Sequence, residues 1–177
     1  EGSSLRLHQN AAGEANWPRG RSVGGQGLII DGLTLAETAL TYRNERVGLV
    51  FDGQLEQFPD EDRAQITGRG TSRGRPFDAE LDIGPVVTIF RSMENYPLAA
   101  NIRSEALMAR FKGNLRPSDG VRLRGQLELS GPSLADTYAF LGVPAPSTPP
   151  FDLATRLVRT LDSWELQDLG GRVGDSD

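Results

Sequence analysis

Cysteine is absent from the 177 residues, and histidine occurs once, at position 8. Without thiols, disulfides, thiolate metal sites and cysteine nucleophiles are excluded. His8 is the one candidate for a histidine general base, and it sits near the start of the chain. Long apolar runs are also lacking: the longest uncharged stretch, Thr137 to Phe151, has 15 residues and contains four prolines. A membrane-spanning helix needs about 18–20 apolar residues, so none is expected here.

Positive charge is in the minority. The 19 Lys and Arg against 24 Asp and Glu give a formal net charge of −5. Phosphate binding needs a basic surface, so the composition argues against nucleic acid as the main partner. It equally argues against electrostatic adhesion to anionic lipid headgroups. Apolar residues reach 37%, which is enough for a packed core and argues against a disordered tail.

From Gln26 onward, apolar and polar residues alternate with a period of two, as in strands with one dry and one wet face. The clearest runs are Phe77–Ile83 and Leu123–Leu129. The pattern predicts a mainly β fold, in which an antiparallel sheet has one face packed and one face solvated. Residues 1–25 are polar and Gly-rich and are predicted to be a linker or frayed N-terminal segment, with room for one short strand at Leu5–Leu7. Residues 26–177 form the predicted β-rich region.

Two short helices are predicted to interrupt the strands, giving a β-rich α+β fold. Ser133 begins a capping signature, and Gly142 followed by Pro144 ends the segment. The other predicted helix is Pro85 to Phe90, with a strand as the alternative because the segment is rich in β-branched residues.

An internal repeat is also indicated. Three pairs of segments correspond: Phe77–Ile83 with Leu123–Leu129, Gly84-Pro85 with Gly131-Pro132, and Tyr96–Ile102 with Phe151–Leu157. Each unit runs strand, Gly-Pro, short helix, Pro-containing loop and strand, as in arrays whose units cover one another's apolar faces. Chance similarity between two β-helix-β stretches is the alternative.

No motif predicts catalysis, a metal or a cofactor. Gly68–Arg75 contains GxG and three arginines but is followed by a strand, so it is predicted to be a solvated hairpin loop and not a phosphate loop. A lipid phosphate touching Arg73 or Arg75 is the minor alternative. The acidic clusters lack the ligand spacing of a calcium loop, and Ser133 lacks a GxSxG elbow.

The apolar face of the strands is the remaining candidate site. It is predicted either to close as an ordinary core or to stay open as a groove for acyl chains, which are held by non-directional burial. The candidate lipid-binding residues are Phe77, Leu81, Ile83, Leu98, Ile102, Phe111, Leu123, Leu127, Leu129 and Trp164.

Several segments resemble the AsmA family of bacterial envelope proteins. They are Leu127–Ala135, Leu141–Pro144, Pro149–Leu153, Trp164–Leu166 and Gly171–Asp177, with weaker likeness at Gly74–Phe77 and Tyr96–Leu98. Members of that family are anchored in the inner membrane, extend a β-rich body into the periplasm, and resemble bridge-like lipid-transfer proteins with curved sheets. The resemblance implies a fragment of a longer, non-catalytic protein that binds or guides phospholipid in outer-membrane maintenance, with other envelope proteins as further partners. The alternatives are a scaffold or partner-binding module with a closed core, and a hydrolase of envelope polymers.

Overall fold

The computed structural model describes residues 3–16, 37–86, 95–116, 122–142, 144–160 and 163–175. These residues form a curved ten-stranded sheet in which the spatial order of the strands is their order along the chain. The strands are β1 Ser3–Gln9, β2 Thr38–Asn44, β3 Leu49–Phe58, β4 Arg63–Ser72, β5 Arg75–Ile83, β6 Tyr96–Arg103, β7 Met108–Arg116, β8 Arg122–Gly131, β9 Phe151–Arg159 and β10 Trp164–Val173. The predicted mainly β, mostly antiparallel architecture is confirmed.

The first strand departs from the antiparallel pattern. β1 pairs with β2 in parallel, in the register Leu5 to Leu40 and Leu7 to Tyr42. It is the strand that the sequence allows at Leu5–Leu7, extended by two residues at each end. Residues 17–36, which include the predicted start of the β-rich region, lie outside the described residues.

The segment Gly68–Arg75 is not a loop. Gly68 and Gly70 lie within β4, and the chain reverses over only two residues, Arg73 and Gly74. Both have positive φ, 49° and 81°, as the tightest hairpin turns require. The predicted hairpin is confirmed, but its loop is shorter than predicted, because Gly68 and Gly70 belong to the strand.

Phenylalanine rings explain glycine inside the strands. Each of two rings lies over a cross-strand pair of glycines: Phe51 over Gly53 and Gly68, and Phe111 over Gly113 and Gly125. A Cβ at any of these glycines would lie between 2.6 and 2.8 Å from the ring. The ring covers backbone that would otherwise be bare, which is how sheets accommodate paired glycines.

The predicted helix Ser133–Leu141 is shorter and less regular than expected. A 3₁₀ turn at Leu134–Thr137 leads into one α-helical turn, α1, Tyr138–Leu141. The predicted caps are present: the Ser133 hydroxyl accepts from the Ala135 amide at 3.4 Å, and Gly142 has φ 67°. Eight residues between two caps are too few for a stable regular helix, so the first turn tightens to 3₁₀.

The prediction of two short helices is thus wrong for the described chain, which contains no helix of seven residues or more. The other predicted helix, Pro85 to Phe90, lies outside the described residues from position 87 onward.

Two glycine–aromatic contacts support the internal repeat. Gly84 follows β5, and a Cβ there would lie 3.0 Å from the ring of Tyr96 in β6. Gly131 ends β8, and a Cβ there would lie 3.1 Å from the ring of Phe151 in β9. Both rings are buried. In both units, therefore, a glycine at the equivalent position leaves room for a buried aromatic ring at the equivalent position.

The largest buried cluster lies on one face of the first half of the sheet, and Phe151, Thr155 and Leu157 of β9 are buried on the same face. Leu40, Phe51, Phe77 and Ala79 form the cluster. The Phe51 and Phe77 rings stack with centroids 6.2 Å apart, and Phe140 of α1 meets Phe77 edge-on at 6.0 Å. The connection between β8 and β9 therefore reaches back to β5 and covers it.

Candidate functional site

All ten predicted lipid-binding residues lie on one face of the sheet. Directly paired residues of neighbouring strands point to the same side, so the register assigns each side chain to a face. One cross-strand row contains Leu55, Ile66, Leu81, Ala100, Phe111 and Leu127. We call this side the apolar face and the opposite side the polar face.

The apolar face contains a closed section and an open section, and beyond the open section it is buried again on β9 at Phe151, Thr155 and Leu157. In the closed section (Leu40, Phe51, Leu55, Phe77 and Ala79), every side chain is buried, with Leu55 only 3% exposed. In the open section (Ala109, Phe111, Leu115, Leu123, Leu127 and Leu129), every side chain is only partly buried. Neither β7 nor β8 has a single buried residue, although both lie well inside the sheet. Interior strands of a closed core would bury their apolar side chains.

The predicted residues are distributed over both sections and beyond. Phe77 is in the closed section, and Leu81 and Ile102 pack against its cluster. Ile83 and Leu98 pair with each other between β5 and β6 and are partly buried.

Four of the others belong to the open section: Phe111, Leu123, Leu127 and Leu129. Trp164 is at the start of edge strand β10 and is 60% exposed. The Arg159 guanidinium lies 4.6 Å from the centroid of its ring, a cation–π contact.

The polar face neutralises many of its own charges. Arg69 Nε lies 3.1 Å from Asp78 Oδ1, and Arg110 pairs with Glu128 at 3.8 Å. A shallow depression of about 270 Å³ between β4 and β6 is lined by such residues, including Glu80. Arg69 and Asp78 in this lining are exposed and paired with each other, which is typical of a solvated strand surface.

The pKa values of Tyr96 and Glu45 are displaced by their surroundings. Burial raises the pKa of Tyr96 to about 12, and its hydroxyl donates to the carbonyl of Gly84. The hydrogen bond from His8 lowers the pKa of Glu45, with the two side chains 2.9 Å apart. Both arrangements tie neighbouring segments together, Tyr96 at the β5–β6 connection and His8 at the β1–β2 edge.

Within the described ranges, no group of three or more His, Asp or Glu side chains is arranged to hold a metal ion. In that same part of the chain, no helix has both the length and the apolar character needed to cross a membrane.

Some residues of the apolar face were not predicted. Phe140 covers Phe77, and Leu166 on β10 is 55% exposed beside Trp164. Leu166 follows Trp164 by two residues, so the period-two pattern could have placed it on the same face. Phe140 had no such signal, because its contact with β5 depends on the path of a long connection.

Comparison with known proteins identifies one curated relative. The chain is 31% identical over 120 residues to AsmA family protein YhjG of Escherichia coli (strain K12), which covers 63% of this chain and 17% of that protein. No protein-family model and no solved structure matches the chain. The chain thus aligns with a small part of a much longer relative. This similarity confirms the AsmA-like relationship that the sequence motifs indicate.

Proposed function

We propose that this chain is a non-catalytic section of an AsmA-like envelope protein, and that it guides phospholipid acyl chains along the open section of its apolar face. One observation carries the proposal: two interior strands present a continuous set of apolar side chains, and none of them is buried. Soluble proteins rarely leave a contiguous apolar surface uncovered unless it binds something.

The physical basis of such binding is burial alone. An acyl chain gains about 0.8 kcal/mol for each methylene that it removes from water, without directional contacts. Strands lie about 4.8 Å apart, so the face of a ten-stranded sheet extends on the order of 40 Å across its strands. A surface of this kind holds a chain weakly at each point and lets it move along the face.

The cellular setting follows from the AsmA-like relationship. We propose a periplasmic location, a full-length protein tethered to the inner membrane, and a contribution to outer-membrane maintenance. Other envelope proteins are proposed as further partners, and nucleic acid is not.

A scaffold or partner-binding module is the second candidate. The closed section favours it, because Phe51, Phe77 and Phe140 already seal that part of the face with protein side chains. In this alternative the open section would be covered by another protein segment and not by lipid.

Photo-crosslinking tests the proposal. A benzophenone amino acid replaces Leu127 in the open section, and a matched variant carries it at Gln54, which is exposed on the polar face. After irradiation with phospholipid, we expect lipid adducts at position 127 and few at position 54. Adducts only to protein at position 127 would favour the scaffold, and equal lipid labelling at both positions would contradict the proposal.

A further inference from the structure

Positive charge is concentrated at one end of the polar face. Lys112, Arg116, Arg122 and Arg124 lie on adjacent strands β7 and β8, and all four are exposed. The register pairs Arg116 with Arg122 directly, and Arg124 pairs with Asn114. We call these four residues the basic end.

The basic end collects four cations on two adjacent strands, whereas several arginines elsewhere on the polar face are paired with carboxylates. Elsewhere on this face, Arg69, Arg110 and Arg156 each lie within 4 Å of a carboxylate. The structure shows no ion-pair partner for any of the four residues of the basic end among the described residues. A protein of net charge −5 therefore carries a local cationic surface that its overall charge conceals.

The same end of the sheet also carries apolar and aromatic groups on its opposite face. Leu115 and Leu123 of the open section form a cross-strand pair, which continues through Arg159 of β9 to Trp164 of β10. Trp164 is exposed, with the guanidinium of Arg159 over its ring. Cations and an exposed tryptophan therefore flank the point where the open section reaches the end of the strands.

We propose that the basic end docks on a phospholipid bilayer that contains anionic headgroups. Arginine and lysine side chains are attracted to such a surface, and tryptophan prefers the boundary between headgroups and acyl chains. The open section would then meet the bilayer where an acyl chain enters or leaves. That role in lipid exchange rests on the proposed function, whereas docking itself does not.

Vesicle flotation of the full chain measures docking. The vesicles are phosphatidylcholine with or without phosphatidylglycerol. The test variant changes Arg116, Arg122 and Arg124 to Gln, and the control changes Arg6, Arg43 and Arg69 to Gln. Arg6, Arg43 and Arg69 are exposed on the polar face of β1, β2 and β4, away from the basic end. Both variants shift the net charge from −5 to −8.

We expect the original chain to float with the phosphatidylglycerol vesicles and not with phosphatidylcholine alone. The membrane partition coefficient of the test variant should fall about 100-fold. Each arginine near an anionic surface contributes about 1 kcal/mol, or about fivefold in partitioning, and three are removed. The control should change less than about threefold, and added salt should weaken binding of the original chain. Folding of both variants is checked by urea denaturation. Removing the Arg116–Arg122 like-charge pair should not destabilise the sheet.

Equal losses in the two variants would overturn the proposal, because net charge and not the basic end would then govern binding. Absence of binding to anionic vesicles, with arginine-dependent binding to single-stranded DNA or polyglutamate instead, would overturn it too. The two proposals fail separately. Lipid crosslinking at Leu127 without arginine-dependent flotation leaves the proposed function intact, and flotation without crosslinking leaves docking intact.

Discussion

A matched pair of leucine-to-aspartate substitutions tests whether the apolar face is open. Leu55 and Leu127 lie in the same cross-strand row, but Leu55 is 3% exposed and Leu127 is only partly buried. Leu127→Asp should cost about 1–2 kcal/mol of lost burial and up to about 1 kcal/mol for aspartate in a strand. Since domains are stable by about 5–15 kcal/mol, this variant should fold.

Leu55→Asp should behave differently. It places a carboxylate in a sealed site, and an unpaired buried charge costs several kcal/mol beyond the lost burial. That variant should fail to fold or should neutralise its carboxyl group. Urea denaturation followed by circular dichroism gives both free energies of unfolding, and mass spectrometry of phospholipid bound to the Leu127→Asp variant should show reduced occupancy. Equal destabilisation by the two substitutions would refute the open section.

Two further predictions concern glycine and tyrosine. Gly125→Ala should destabilise by about 1–3 kcal/mol, because its Cβ would lie 2.6 Å from the Phe111 ring. Gly170→Ala is the control and should stay within about 0.5 kcal/mol, since a Cβ there meets nothing within 4 Å. Between pH 10 and about 12 the unfolded chain loses the Tyr96 proton while the folded chain retains it, so stability should fall as the pH rises. Urea denaturation should show a smaller loss of stability for Tyr96→Phe over the same pH range. An identical loss would show that Tyr96 ionisation is not the cause.

The strand pattern was sufficient to predict the faces. Phe77, Leu98, Leu127 and Trp164 share a side because antiparallel pairing keeps alternation in phase from strand to strand. Even the irregularity in β10, where the register shifts between Gln167 and Gly170, leaves the first half of that strand in phase.

The sequence did not predict how much of each face is covered. Leu55 and Leu127 occupy equivalent places in similar alternating runs, so periodicity gives them the same expectation. Their burial differs because other parts of the folded chain cover one and not the other. The basic end was missed for a different reason. Net charge averages over the chain, whereas the 112–124 segment has four basic residues and one acid, Asp119.

The connections, and not the strands, therefore decide what this sheet can bind. The segment between β8 and β9 carries Phe140 back over three strands to Phe77, and in doing so it converts apolar surface into core. Two contacts hold that segment against the β4–β5 hairpin. Arg75 lies 3.8 Å from the Asp136 carboxylate, and the Arg73 guanidinium lies 5.1 Å from the centroid of the Tyr138 ring. Each repeated strand unit has the same apolar face. Where the next connection folds over that face, the unit becomes part of the core, and where it does not, the face stays accessible to a ligand. Lipid contact is accordingly expected on β7 and β8, whose apolar side chains no connection buries.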